Sequence, residues 1–318
     1  MNIYIKCFLI SLAIGLIFTI FYIVVKIILL YLNAKDAFNN IIYNTKYCGK
    51  ERCPKVTPTP IQPNSIIDLN LWNINIAKYS AEIVYRIEDA AYNNTIKINY
   101  PEGLKVLKEI YNKNDYPIFG SIVESSEYIW LCFRGTQTNL DITQDLKIQQ
   151  NDYFNNISSK QIELQLFEDN NKPLIHEGFM EIYMNLRKEI LDTLQKHKSN
   201  KPIIVSGHSL GAAISTIAGF DLKQNNYKVV VYNYASPRIG DQALCNLINK
   251  NIKVFRIVNT TDIIPNLPLS VTPNFENPDK PYNYVHCGIL KTFTDNWLSI
   301  LNNHLIPVYM KGLENLNN

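Results

Sequence analysis

Pro202-Ile203-Ile204-Val205-Ser206-Gly207-His208-Ser209-Leu210-Gly211-Ala212-Ala213 changes its rhythm within a few residues. Pro202 to Ser206 reads as an apolar strand, and Leu210 to Gln224 places apolar residues at helical spacing. Between the two, Gly207, Ser209 and Gly211 make a G-x-S-x-G pattern, the signature of a sharp strand-to-helix turn that lifts a serine hydroxyl above a sheet. Such a turn strains the serine backbone, and side chains in place of the glycines would collide with the adjoining strand and helix. The whole chain has 12 glycines, so the pattern is hard to reach by chance in this setting. Ala212 and Ala213 let the helix come close to the sheet.

Outward from this turn, Val229 to Tyr234 reads as a strand, Gln242 to Asn249 as a helix and Lys253 to Val258 as a strand. On the other side, Glu177 to His197 and Ile74 to Ile87 have helical spacing, and Ile118 to Val123 with Tyr128 to Phe133 read as a hairpin. Strands alternating with helices predict an α/β fold with a mostly parallel central sheet and helices on both faces. The stretch from Asn139 to Ile175 is longer than an ordinary connection, a length found in lids, binding loops and disordered insertions.

Across its 318 residues the chain is 47% hydrophobic and 19% charged, which excludes wholesale disorder. Lys and Arg number 31 against 28 Asp and Glu, a net +3 that lacks the concentrated basic charge of a nucleic-acid binder. From Cys7 to Val25 there are 19 residues without a charge, and after Lys26 the apolar run resumes to Leu32. A bilayer core of about 30 Å takes roughly 20 helical residues, whereas a cleaved signal carries only about 7 to 15. Residues 1–34 are therefore expected to be a retained N-terminal transmembrane anchor. Pro54, Pro58, Pro60 and Pro63 make residues 35–64 an extended stalk, and the folded unit is expected over 65–318.

Which side of the bilayer holds that unit stays open. Lys35, Lys46, Lys50 and Arg52 favour the cytoplasm by the charge rule, whereas Cys48 and Cys53 suit a small disulfide loop in an oxidising compartment. Cys7, Cys132, Cys245 and Cys287 are scattered and form no CxxC pair, so no metal site is expected. Asn93, Asn156 and Asn259 begin sequons that the high Asn content explains by chance.

A serine hydroxyl attacks only when a histidine takes its proton and a carboxylate orients that histidine. In folds with this turn the acid and then the histidine follow the serine, which sets aside His176, His197 and His208 and leaves His286 and His304. Asp262 lies just past the strand ending at Val258, at the sheet edge whose loops carry function. Asp241, Asp279 and Asp295 remain alternatives without that placement.

From about Ala77 to Met310 the order of these segments resembles the class 3 lipase family, the fungal-type triacylglycerol lipases of the α/β-hydrolase superfamily. Phe133-Arg134-Gly135-Thr136 is similar to the family's oxyanion strand end, His176-Glu177-Gly178-Phe179 to its H-x-G-F helix start, and Gly207-His208-Ser209-Leu210-Gly211 to its serine turn. Tyr234-Ala235-Ser236-Pro237-Arg238-Ile239-Gly240-Asp241 matches the segment after the next strand. Thr261-Asp262-Ile263-Ile264-Pro265 resembles the acid loop, and Asn303-His304-Leu305 the histidine loop.

The resemblance implies a triad of Ser209, Asp262 and His304, with the N–H groups of Thr136 and Leu210 as the oxyanion hole. By the same likeness His286, in Tyr284-Val285-His286-Cys287-Gly288, is a recurring histidine that is not the base. Arg134 and His176 are structural, and the long segment from Gln137 to Ile175 holds the lid, with Leu140, Ile142, Leu146 and Ile148 as its apolar face and Asp141 and Asp145 opposite. Leu267, Leu269 and Ile306 are candidates for an acyl groove or for core packing. The implied activity is a cofactor-free serine ester hydrolase that cleaves glycerolipid acyl esters. A phospholipase or monoacylglycerol lipase would use the same triad, and an inactive, membrane-tethered binding protein could keep the same fold.

Overall fold

The computed structural model describes residues 68–93, 95, 97–112, 117–136, 148–155, 157, 172–274, 277–298 and 302–316. The chain divides into two units, Met1–Arg52 and Cys53–Asn318, and all described residues belong to the second. The anchor expected over 1–34, the stalk over 35–64, Cys48, Cys53 and the lid residues Leu140, Asp141, Ile142, Asp145 and Leu146 lie outside the described residues. Among the described residues no helix is long and apolar enough to cross a membrane.

The strands are β1 (Lys105–Ile110), β2 (Gly120–Glu124), β3 (Ile129–Phe133), β4 (Gln150–Asp152), β5 (Leu174–His176), β6 (Ile203–His208), β7 (Val229–Tyr234), β8 (Lys253–Asn259), β9 (Val271–Thr272), β10 (Tyr282–Asn283) and β11 (Ile289–Phe293). The helices are α1 (Ile74–Tyr92), α2 (Glu177–His197), α3 (Leu210–Gln224), α4 (Gln242–Asn251) and α5 (Ile306–Gly312). Seven strands form one sheet in the order β1-β2-β3-β6-β7-β8-β11. β2 and β3 make the expected antiparallel hairpin, and from β3 through β6, β7 and β8 to β11 every pairing is parallel.

The parallel strands are buried on both faces, so β3 and β6 read as unbroken apolar or small-residue runs. One face takes α1: Trp130 meets Tyr79, Tyr232 and Phe255 meet Trp72, and the Tyr234 hydroxyl bonds the Ser80 hydroxyl at 2.7 Å. The opposite face gives Leu131, Phe133, Val205, Val231 and Val254 to a core shared with Phe179 and Leu186 of α2, Ile214 and Ile217 of α3, and Leu244 and Ile248 of α4. Each large side chain buried there stabilises the fold by about 1.5–3 kcal/mol. Between α2 and α3, buried Asp221 accepts from Arg187 Nε at 2.8 Å, Arg187 Nη2 at 3.1 Å and the Tyr183 hydroxyl at 2.6 Å.

Several elements escape the sequence reading, among them β1, β11, α5 and the short strands β4, β5, β9 and β10. β1 and β11 are the two edge strands of the sheet, partly exposed and mixed in polarity, so neither shows a clean apolar run. α5 has only seven residues, with proline near its start, too short to display a period. A disulfide joins Cys245 of α4 to Cys287, across 42 residues whose spacing carries no signal.

Candidate active site

Ser209 caps the start of α3 with φ 55° and ψ −123°, a region that costs a non-glycine residue about 1–3 kcal/mol. The surroundings enforce it. Ser209 N–H donates to the Tyr234 carbonyl at 2.9 Å. A Cβ on Gly207 would lie 2.1 Å from the Gly211 carbonyl oxygen, and one on Gly211 would lie 2.3 Å from that of Arg134. Both glycines of the pattern are thus required by contact, and the contact with Arg134 brings the end of β3 against the serine turn.

The acid and the histidine come from loops beyond β8 and β11. His304 closes a short 3-10 turn, Asn302–His304, directly before α5. Its Nδ1 lies 2.7 Å from Asp262 Oδ2 and its Nε2 lies 2.8 Å from Ser209 Oγ. The carboxylate accepts from Nδ1–H, which leaves Nε2 as the acceptor for the serine hydroxyl. Asp262 is buried, which opposes its charge, but His304, the Tyr309 hydroxyl at 2.6 Å and the Ile264 N–H at 2.9 Å overcome this and hold its carboxyl below the usual value.

Two asparagines join these loops. Asn259 Nδ2 donates to the Asp295 and Asn303 carbonyls, and Asn303 Nδ2 donates to the Thr261 carbonyl. The Asn259 sequon is therefore sealed inside the fold.

Next to the serine, a Cβ on Gly135 would lie 3.2 Å from Ser209 Cβ, so Thr136 continues the chain beside the hydroxyl. Leu210 opens α3, where the first N–H groups of a helix have no acceptor within it. Thr136 and Leu210 thus flank Ser209 from separate segments. Beneath them His208 Nδ1 lies 2.7 Å from Glu88 Oε1, and that same oxygen accepts the Gly135 N–H at 2.8 Å.

The other candidates are held elsewhere. His286 is pushed down to about 3 by burial and by Arg256 and Arg238, and its Nδ1 has no hydrogen-bond partner among the described residues. His176 caps α2 by accepting from Phe179 N–H at 3.3 Å and stacks on the Phe179 ring, and burial pushes it to about 3. Asp241 caps α4, Asp279 lies in an exposed turn, and Asp295 pairs with Lys311 at 3.3 Å. Arg134 is buried, donates to the Ile118 and Gly135 carbonyls and covers the Phe119 ring. Ile306 is fully buried in α5 and packs as core, whereas Leu267 and Leu269 are exposed beside the acid loop. Ile148 lends its carbonyl to the Tyr284 hydroxyl at 2.7 Å. Among the described residues no three His, Cys, Asp or Glu converge as metal ligands.

Glu88, His208 and Tyr309 were not singled out by the sequence as partners of the site. For Glu88 a signal existed: Ala77, Ala81, Val84, Glu88 and Ala91 fall on one buried stripe of α1, and a carboxylate on an apolar stripe calls for a partner.

Sheet order and serine turn, with the Ser–His–Asp geometry at the ends of the parallel strands, define an α/β-hydrolase fold. A family model described as Lipase (class 3) matches residues 130–272. The chloroplastic phospholipase A(1) DAD1 of Arabidopsis thaliana is 31% identical over 160 residues, covering 46% of this chain and 35% of the relative. Secreted mono- and diacylglycerol lipase A of Penicillium cyclopium is 38% identical over 96 residues, covering 29% and 32%. The chain spans about a third of the length of these two curated relatives. The solved triacylglyceride lipase of Rhizomucor miehei superposes with a TM-score of 0.52 at 23% identity, over 69% of this chain and 79% of that one, a likeness of fold.

Proposed function

We propose that the protein is a serine ester hydrolase that cleaves the acyl ester of a glycerolipid through an acyl-enzyme. The observation that carries this reading is the continuous line from Asp262 Oδ2 through His304 to Ser209 Oγ, at 2.7 and 2.8 Å. His304 Nε2 takes the hydroxyl proton as Ser209 attacks the ester carbonyl; the tetrahedral oxyanion forms against the N–H groups of Thr136 and Leu210. Each such donor is worth about 3 kcal/mol at the transition state, because it is already aimed where charge develops. His304 then gives its proton to the departing alcohol, and water repeats the sequence to release the fatty acid. No step requires a metal or an organic cofactor.

A lipid substrate is supported by apolar side chains in and after the acid loop, where Ile263, Leu267, Leu269 and Val271 are exposed. The class 3 lipase match and the names of the relatives point the same way. The phospholipase reading is favoured by the Arabidopsis relative. An anchor over residues 1–34 with a stalk over 35–64 would keep the domain at its insoluble substrate and raise the effective concentration. The Cys245–Cys287 bridge supports an oxidising compartment for the domain.

Hydrolysis of a short-chain p-nitrophenyl ester tests the reaction. Activity and fluorophosphonate labelling are expected in the native protein and should vanish in Ser209→Ala; retained hydrolysis in that variant would reject the mechanism. Parallel assays on triacylglycerol and phosphatidylcholine separate the two lipid readings. Protease accessibility in sealed vesicles reports the side of the membrane.

A further inference from the structure

His208 stands between two parts of the site. Its Nδ1 faces Glu88 Oε1 at 2.7 Å, and its Nε2 faces the backbone carbonyl oxygen of His304 at 2.6 Å. The carbonyl can only accept, and Glu88 Oε1 is already accepting from Gly135 N–H at 2.8 Å. A neutral imidazole has a single N–H and cannot donate in both directions, whereas an imidazolium can. Burial opposes charge on this ring, but Glu88, the His304 carbonyl and Asp262 raise His208 above its ordinary value. The groups that face it are Glu88 from α1, His304 and Asp262 from the two catalytic loops, and Tyr309 from α5.

We propose that Glu88 and His208 are positioning residues: a buried ion pair that ties the main chain of His304 to Gly135, and so fixes the base relative to the oxyanion donors. This rests on the hydrolase reading above. During turnover His304 Nε2 changes partner from the serine to the leaving oxygen, so its bond to Ser209 cannot hold the loop throughout the cycle. Asp262 restrains only the ring. The His208 N–H on the His304 carbonyl restrains the backbone, and through Glu88 the same pair reaches the amide that precedes Thr136. Displacing a reacting group by about 1 Å costs on the order of 100-fold in rate.

The tie holds while His208 keeps both protons, so its contribution is full at low pH and fades as pH rises through the raised value of His208. Glu88→Gln keeps the shape and removes the charge that sustains the imidazolium. We expect kcat to fall about 10- to 100-fold with KM within about twofold, and the alkaline limb of the pH–rate profile to move about one unit toward acid. A folded Glu88→Gln protein with native kcat and an unmoved alkaline limb overturns the proposal. Native protein that neither hydrolyses ester nor labels with fluorophosphonate refutes instead the hydrolase reading.

A second measurement does not depend on that variant. In protein carrying His304→Ala and His197→Gln, His176 and His286 are neutral through burial. A histidine ring whose nitrogen spectrum stays doubly protonated above the ordinary imidazole range is then His208. Neutral rings throughout would overturn the proposal.

Discussion

Two histidine–carboxylate pairs lie side by side, with ring centroids 4.7 Å apart, yet they are arranged for different work. His304–Asp262 and His208–Glu88 have the same Nδ1 to oxygen distance, 2.7 Å. The His304 side chain is 17% exposed and its Nε2 faces a hydroxyl, which can give a proton. His208 is 5% exposed and its Nε2 faces a carbonyl, which cannot. What a dyad does is decided by the partner of its second nitrogen and by access to substrate; the pair itself is only a way of holding a ring in one tautomer or charge state.

The comparison predicts a ranked series. His304→Ala should remove proton transfer and lower kcat/KM by about 10⁴-fold or more in folded protein, measured on the soluble ester. Asp262→Asn should approach the same loss, near 10⁴-fold, because an amide can donate to Nδ1 and stabilise the wrong tautomer. If His208→Ala were as damaging as His304→Ala, the two pairs would not differ in the way described.

Tyr309→Phe removes one donor from Asp262 and should lower kcat by about tenfold. It also raises the Asp262 carboxyl toward its unfolded value. The native carboxyl is depressed, so its contribution to stability is full above about pH 4 and fades as pH falls through the folded value. In acid melting experiments Tyr309→Phe should begin to lose that contribution at higher pH than the native protein. Smallest in activity is Arg187→Ala, which leaves Asp221 buried between α2 and α3: stability should drop by about 3 kcal/mol in denaturant titration with kcat unchanged.

The serine turn was legible because its backbone demands particular residues: Gly207 and Gly211 are dictated by atoms little more than 2 Å from where a Cβ would stand. Asp262 was suggested by its place after a parallel strand, but choosing it over Asp241, Asp279 and Asp295 took the family likeness. Choosing His304 over His286 took the family likeness, and the geometry that separates them depends on α5 and on Asn259 and Asn303, which have no local pattern. The supporting pairs were hidden for the same reason. Glu88 meets His208 across 120 positions and Tyr309 meets Asp262 across 47, and neither helix period nor strand alternation reports a contact over such distances. β1 and β11 were missed because an edge strand has no second neighbour to impose an apolar run.

The nucleophile precedes its base by 95 positions, and Tyr309, which steadies the acid, follows later still. During synthesis the serine turn and most of the sheet leave the ribosome before the segment that arms them. On the proposed mechanism a nascent polypeptide carries its serine in an inert form, and hydrolysis would begin only when the stretch from 302 to 313 docks, in chains already past their main folding steps.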